Sequence, residues 1–279
     1  MERIRQAVEQ AAKERGEKKP AKPAAKRPGA ADAPVRIADA AEAVPAAEVQ
    51  YTQTKTVTVS PATRERHRLV AGIPGHPLRD TYRMLRTRVL QELKANEWNT
   101  IAVTSPAVGC GKTLTAINLA ISLAMDLSHL VLLVDGDMRN PTVHEYFGYQ
   151  PEYGLSDHLF HDVPVSDIMF HPDIDRLTVL PGREKIAESA EQLASPKAAA
   201  LLQDLRTRYP DRIIVVDVPP VLSVDDALTL GPNMDCMLMV AANGKTTKEE
   251  LYKALDLLDG IPILGTVLNK SDKKVQEKY

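Results

Sequence analysis

Short, unbroken apolar runs punctuate the chain at 101–103, 131–134 and 213–216. Each ends where small or acidic residues begin, and none shows the alternation of a strand with one wet face. Runs of this length bounded by loop residues read as strands buried on both faces, as in a parallel sheet. Further strands are expected at 177–180, 236–240 and 263–268. Between them the period changes to that of a helix. Leu78, Tyr82, Leu85, Val89 and Leu93 predict a helix over 78–95, and an Ala- and Leu-rich stretch predicts another from 112 to about 127. Shorter helices are expected at 141–147, 188–193, 196–209 (with Leu201, Leu202 and Leu205 inward), 226–230 and 248–258. Residues 151–175 read as irregular, with a Gly-Leu-Ser-Asp turn at 154–157. Strands alternating with helices in this way give a doubly wound, mainly parallel α/β sheet.

The first sixty residues follow other rules. Residues 1–15 form an amphipathic helix candidate, with Ile4, Val8 and Ala11 or Ala12 on one face, too short to be stable alone. Residues 16–60 are rich in Ala, Pro and Lys, with Tyr51 the one aromatic, and read as a disordered linker. Lys18, Lys19, Lys22, Lys26 and Arg27 there read as solvated charge, with a nucleic-acid-binding arm as the alternative. The folded domain is placed at 61–273 and a tail at 274–279. With 35 basic against 37 acidic residues, no nucleic-acid partner is expected. Two distant cysteines, Cys110 and Cys236, make neither a disulfide framework nor a zinc pattern. No apolar run nears the ~20 residues of a membrane span and no signal peptide opens the chain, so the expected location is cytoplasmic.

The chemistry sits where the strands end. After the strand at 101–103 comes a loop of small residues, then Gly111-Lys112-Thr113 opening a helix: the order of a phosphate-binding P-loop. Gly109 and Gly111 let backbone amides approach phosphate oxygens, and the expected nucleotide contacts run through Val108, Gly109, Cys110, Gly111, Lys112, Thr113 and Leu114. Lys112 neutralises the β/γ-phosphates and the Thr113 hydroxyl faces Mg2+. The strict P-loop pattern has glycine where this chain has Pro106. The other strand ends decide for a nucleotide site: one runs Asp135-Gly-Asp137-Met-Arg139-Asn-Pro141, the other Asp217-Val-Pro219-Pro220.

Together these motifs resemble bacterial tyrosine kinases (BY-kinases) of the CpsD/CapB type, P-loop relatives of the MinD/ParA ATPases. The run from Asp80-x-Tyr82-Arg83-x-Leu85-Arg86-Thr87 through the P-loop to Asn118 carries the likeness, with the branch tied to exopolysaccharide loci most similar. So do Gly154-Leu-Ser-Asp157 and Asp217-x-Pro-Pro with Asp226-Ala227. The resemblance implies an ATP- and Mg2+-dependent tyrosine autokinase acting in exopolysaccharide or capsule export. Lys112, Asp135, Asp137 and Asp217 are then the catalytic set, with Asp135 orienting or deprotonating the acceptor hydroxyl. Thr113, Asp137 and Asp217 hold the metal, and Asn269 approaches adenine. Asp80, Arg83 and Arg86 correspond to the family's Glu-x-x-Arg-x-x-Arg helix motif, with Asp80 one methylene shorter, and imply a homo-oligomer. Family kinases end in a tyrosine cluster; here Tyr279 stands alone as the implied phosphoacceptor. The implied partner is a membrane chain-length-determinant (polysaccharide co-polymerase) protein, which recruits the kinase to the inner face of the membrane.

Three other readings remain. A MinD/ParA-like switch carries a second lysine early in the P-loop, and none lies between Lys94 and Lys112. A GTPase reading rests on Asn269-Lys270-Ser-Asp272 after the last strand. A regulator of the membrane partner without kinase activity is the third.

Overall fold

The computed structural model describes residues 54–209 and 211–271. The 1–15 helix, most of the linker, Asp272 and Tyr279 lie outside the described residues. Eight strands form one sheet in the order β1-β4-β5-β3-β6-β2-β7-β8. They are β1 (Lys55–Thr56), β2 (Thr100–Thr104), β3 (Leu130–Asp135), β4 (Phe170–His171), β5 (Leu177–Leu180), β6 (Arg212–Asp217), β7 (Cys236–Ala242) and β8 (Ile263–Asn269). Every neighbouring pair is parallel except β4 with β5.

The apolar runs form central strands because both of their faces are covered. Along β3, Val131 and Leu133 join one buried cluster while Leu132 and Val134 join another; β6 divides Ile213 and Val215 from Ile214 and Val216 in the same way. This is the two-residue period of a strand, invisible in the sequence because both sets are apolar. The helices supply the two layers. Those that follow in chain order are α1 (Pro61–Arg66), α2 (Arg79–Asn96), α3 (Lys112–Ala124), α4 (Val143–Tyr146), α5 (Leu155–His161), α6 (Val165–Ile168), α7 (Ser189–Leu193), α8 (Pro196–Thr207), α9 (Asp226–Leu230) and α10 (Lys248–Leu257). Val89 and Leu93 of α2 meet Ile117 and Ile121 of α3 in the first cluster, and Leu201 and Leu205 of α8 enter the second. Leu202, expected inward with them, is half-buried against that cluster's edge.

Two stretches are more ordered than the sequence pattern implies. The 151–175 segment, read as irregular, holds α5, α6 and β4. Gly154-Leu-Ser-Asp157 is a helix start: the Asp157 carboxylate accepts the Gly154 N–H at 2.8 Å. Residues 54–60, read as the end of the linker, also belong to the fold. β1 pairs with β4, Val59 is buried, and the Ser60 hydroxyl accepts the Thr63 N–H at 3.1 Å to cap α1. Ser60 followed by Pro61 is a helix-start signal that the composition of its surroundings masked.

Register places the site. Asp135 and Asp217 are direct neighbours at the ends of β3 and β6, and Val103 of β2 lies beside Asp217 on the other side. The loop leaving β2 therefore passes over two adjacent carboxylates.

Candidate functional site

The loop between β2 and α3 is held from below by the loop after β6. Val221 and Leu222 donate their N–H groups to Ser105 O and Pro106 O at 2.9 and 3.1 Å, and the Thr104 hydroxyl donates to Pro219 O at 2.8 Å. Pro106 thus stands where only a carbonyl is needed, so the missing N–H of proline leaves no group unpaired. Farther along, Gly109 and Gly111 both take left-handed backbone angles, φ 77° and 92°. A Cβ at Gly109 would come within 2.7 Å of the Lys245 amine, and one at Gly111 would collide with the Asn269 amide. Gly111 leads directly into α3, whose first residues are Lys112 and Thr113.

The Lys112 ammonium lies 2.7 Å from Asp137 Oδ2 and 3.1 Å from Asp217 Oδ2. The Thr113 hydroxyl donates to Asp217 Oδ2 at 2.7 Å. Asp135, Asp137 and Asp217 are 0%, 6% and 1% exposed, so one ammonium faces three nearly dry carboxyls. Burial alone works to lower the Lys112 pKa, but the charges of Asp217 and Asp137 outweigh it and hold Lys112 well above the usual lysine range. Asp217 is raised by burial, against the opposing pull of Lys112 and the Thr113 hydroxyl. Asp135 is pushed well above the carboxylate range, by burial first and the charge of Asp217 next, although the Val143 N–H and Lys112 oppose this. Its Oδ2 accepts the Val143 N–H at 3.0 Å, while Oδ1 is buried with no hydrogen-bond partner. An orphaned acceptor beside a P-loop is an opening for a donor from outside the chain.

These groups border a cleft of ≈ 690 Å³ lined by Gly109, Gly111, Lys112, Thr113 and Asp137 on one side and by Arg66, His67, Arg68 and Tyr146 on another. The volume is that of a small-molecule site. Asp137 lines it and Asp135 lies behind, so the two acids occupy different depths. Residues of the far wall carried no motif and escaped the sequence reading. Asn118 holds that wall in place: its Nδ2 donates to both Arg68 O and Leu114 O at 3.0 Å, and its Oδ1 accepts the Ala71 N–H at 2.9 Å. Arg139, also on the cleft, donates through Nε to Asp226 Oδ1 at 3.0 Å, and the Ser189 hydroxyl bonds the other oxygen of that buried Asp226.

Among the described residues, no group of three or more His, Cys, Asp and Glu side chains is gathered to hold a metal. The donor set still suits magnesium. This ion takes one or two carboxylates and draws its other ligands from phosphate and water; Asp217 and Thr113 already share a 2.7 Å contact at the head of α3, with Asp137 close by across Lys112.

Asn269 sits against the phosphate loop: its Nδ2 donates to Cys110 O at 2.9 Å and its Oδ1 accepts the Lys270 N–H at 2.8 Å. Arg83 and Arg86, paired in the implied helix motif, diverge. Arg83 pairs with Asp80 at 3.3 Å on the exposed surface, whereas Arg86 turns inward and donates to Ser122 O at 3.0 Å in the last turn of α3. There its charge complements the helix dipole. Arg86→Ala is therefore expected to cost about 1–2 kcal/mol by the loss of a charged hydrogen bond, and Arg83→Ala less than about 0.5 kcal/mol. Thermal unfolding of the two single variants checks this; equal melting points would show that Arg86 contributes nothing to the α3 end.

Comparison with known proteins agrees with this geometry. A family profile described as an AAA domain matches residues 98–243. Tyrosine-protein kinase YwqD of Bacillus subtilis is 30% identical over 202 residues, covering 72% of this chain and 84% of YwqD. Tyrosine-protein kinase Etk of Escherichia coli is 26% identical over 226 residues, which span 78% of this chain but 31% of that longer protein. Among solved structures, the chimerical protein CapA2B2 superposes with a TM-score of 0.69 at 28% identity, covering 78% of this chain and 94% of that one.

Proposed function

The chain belongs to the bacterial tyrosine-kinase family, and from that membership we propose that it transfers the γ-phosphoryl of ATP to tyrosine hydroxyls, its own Tyr279 among them, in the service of exopolysaccharide or capsule export. The observation that carries this reading is the convergence of Lys112, Thr113, Asp137, Asp217 and the partnerless oxygen of Asp135 at one edge of the cleft.

Each group has a task that its position supports. The amides of the glycine loop and the Lys112 ammonium bind the phosphates and take up charge that develops during transfer. Thr113, Asp217 and Asp137 would hold magnesium, which supplies further neutralisation of phosphate charge when bound. Asp135 and Asp137 are assigned jointly to the acceptor hydroxyl. Asp137 reaches the cleft, and Asp135 behind it, whose burial makes its carboxylate hold a proton more tightly than usual, accepts the one the hydroxyl gives up.

The partner and location follow from the same premise. No helix among the described residues is long and apolar enough to cross a membrane. A chain-length-determinant protein at the inner face of the membrane is our proposed anchor, with residues 1–15 as the segment that captures it and assembly through the exposed Asp80/Arg83 face.

The test is direct. Purified protein is incubated with labelled ATP and Mg2+, and phosphotyrosine is located by peptide mass mapping. Wild-type protein is expected to incorporate label on tyrosine, and Asp137→Ala to reduce incorporation at least about 100-fold, the scale of losing a group that stabilises transferred charge. Tyrosine labelling that survives in Asp137→Ala would remove the assigned site; ATP binding with no labelled tyrosine in the wild type would leave a nucleotide-dependent regulator.

A further inference from the structure

The Asn269-Lys270 pair closes β8, and both side chains reach the phosphate loop. Lys245 Nζ donates to Val108 O at 2.7 Å, Lys270 Nζ to Gly109 O at 2.7 Å, and Asn269 Nδ2 to Cys110 O at 2.9 Å. Three consecutive carbonyls of the phosphate loop are thus each held by a separate side chain, one from the turn after β7 and two from the end of β8. The two lysine contacts have the short length of charge-assisted bonds.

Peptide geometry gives this arrangement a consequence. No cis bond occurs among the described residues, so the carbonyl of one residue and the N–H of the next point in opposite directions within each peptide plane. Drawing the carbonyls of Val108, Gly109 and Cys110 toward β7 and β8 turns the amides of Gly109, Cys110 and Gly111 the other way. Those three amides are the ones a phosphate-binding loop must present. The Gly109 and Gly111 amides make no bond to a backbone carbonyl among the described residues.

The geometry points to Lys245, Lys270 and Asn269 as positioning residues that hold the phosphate loop open for nucleotide, acting through the backbone rather than by touching phosphate. The loop's own glycines fit closely to this set: a side chain at Gly109 would meet the Lys245 amine, and one at Gly111 the Asn269 amide. Lys270 itself adopts φ 56°, an angle unusual for a side-chain-bearing residue, with its N–H donated to the side-chain Oδ1 of Asn269. Each lysine is exposed, and one exposed lysine contact has little effect on stability. Three on successive peptide planes restrict a loop whose glycines otherwise leave it free. Preorganisation of this kind appears in affinity, because the loop no longer has to be ordered by the ligand.

This inference deepens the reading of the cleft as a nucleotide site, and the experiment separates the two. Mg-ADP is titrated calorimetrically into the full chain, and turnover at saturating Mg-ATP is measured on the same preparations. The double variant Lys245→Met/Lys270→Met is expected to bind Mg-ADP about tenfold more weakly, the lower range for loss of outer-shell support around a bound ligand. Its saturated turnover should change less than about threefold, and its melting temperature without nucleotide should equal the wild-type value. Lys245→Arg/Lys270→Arg, which keeps charged donors, should restore binding. Should the Met pair fail to fold, the single variants Lys245→Gln and Lys270→Gln give the same readout. Wild-type affinity in variants lacking the amines would overturn the proposal. So would a collapse of saturated turnover at unchanged affinity, since the lysines would then touch the transferring group. Absence of Mg-ADP binding by the wild type would instead overturn the nucleotide reading itself.

Discussion

Lys112→Met is expected to abolish phosphoryl transfer and, in the absence of nucleotide, also to lower the stability of the fold. The first effect follows from the role proposed for Lys112: removing an amine that neutralises phosphate charge should reduce turnover by at least about 10³-fold. The second follows from its neighbours. The ammonium lies 2.7 Å from Asp137 and 3.1 Å from Asp217, both almost fully buried, and it also favours the ionisation of a hidden Asp135, though less strongly than burial opposes it. Removing one partner of a buried ion pair costs about 3–5 kcal/mol because the remaining charge has no compensation. For a folded unit of this size that corresponds to roughly 10 °C in melting temperature. The pH dependence gives the cause away. Asp217 and Asp135 are already raised by burial, and losing Lys112 raises them further. A carboxyl with a folded pKa above its unfolded value favours the folded state while protonated and loses that advantage as pH rises through the folded pKa. The deficit of the variant should therefore be greatest at neutral pH and shrink as pH falls toward the carboxylate range. Calorimetry at pH 7.5 and 5.0 measures it, and a deficit that is the same at both would reject the charge account.

Why so much of this site was legible in sequence is a matter of where its residues sit. Asp135 and Asp217 each end an unbroken apolar run, so two strands and their C-terminal carboxylates could be read together, and parallel neighbours place such ends side by side. Lys112 and Thr113 follow a glycine loop whose spacing has a mechanical reason. The remainder depends on contacts with no local signature. Lys245 reaches Val108 from 137 positions away, and nothing in the residues around it marks that contact. Arg86 has the spacing of a surface residue and yet turns inward, because a bare carbonyl waits at Ser122. The two residues of β1 are too few to show a period and exist as a strand only because Phe170 and His171 offer an edge. Asn269 is the mixed case: its motif was legible, but its bond to the phosphate loop was not.

Asp135→Asn should separate stability from activity in the opposite sense to Lys112→Met. Asp135 is wholly buried at the end of β3, with Oδ2 on the Val143 N–H and Oδ1 unpaired. Burial, then the charge of Asp217, makes its ionised form unfavourable. As a carboxyl raised in the folded state, it contributes most to stability below its unfolded pKa, near about 3.9, and loses that contribution as pH rises through the folded value. An asparagine has no proton to lose, retains an oxygen for Val143, and cannot acquire a negative charge beside Asp217. The variant is expected to melt about 3 °C higher than the wild type at pH 7.5, the response to roughly 1 kcal/mol in a unit of this size, with the gain vanishing near pH 4. Tyrosine phosphorylation should fall about 10²- to 10⁴-fold, the range for losing a general base. Such opposed effects are typical of residues kept for chemistry at the expense of the fold. Combining the two substitutions sharpens the point. With Lys112 absent, one fewer buried negative charge should matter more, so Asp135→Asn should stabilise Lys112→Met by more than it stabilises the wild type. Destabilisation by Asp135→Asn at pH 7.5 in both backgrounds would show instead that Asp135 is a structural acceptor, and would move the proton-accepting role to Asp137 alone.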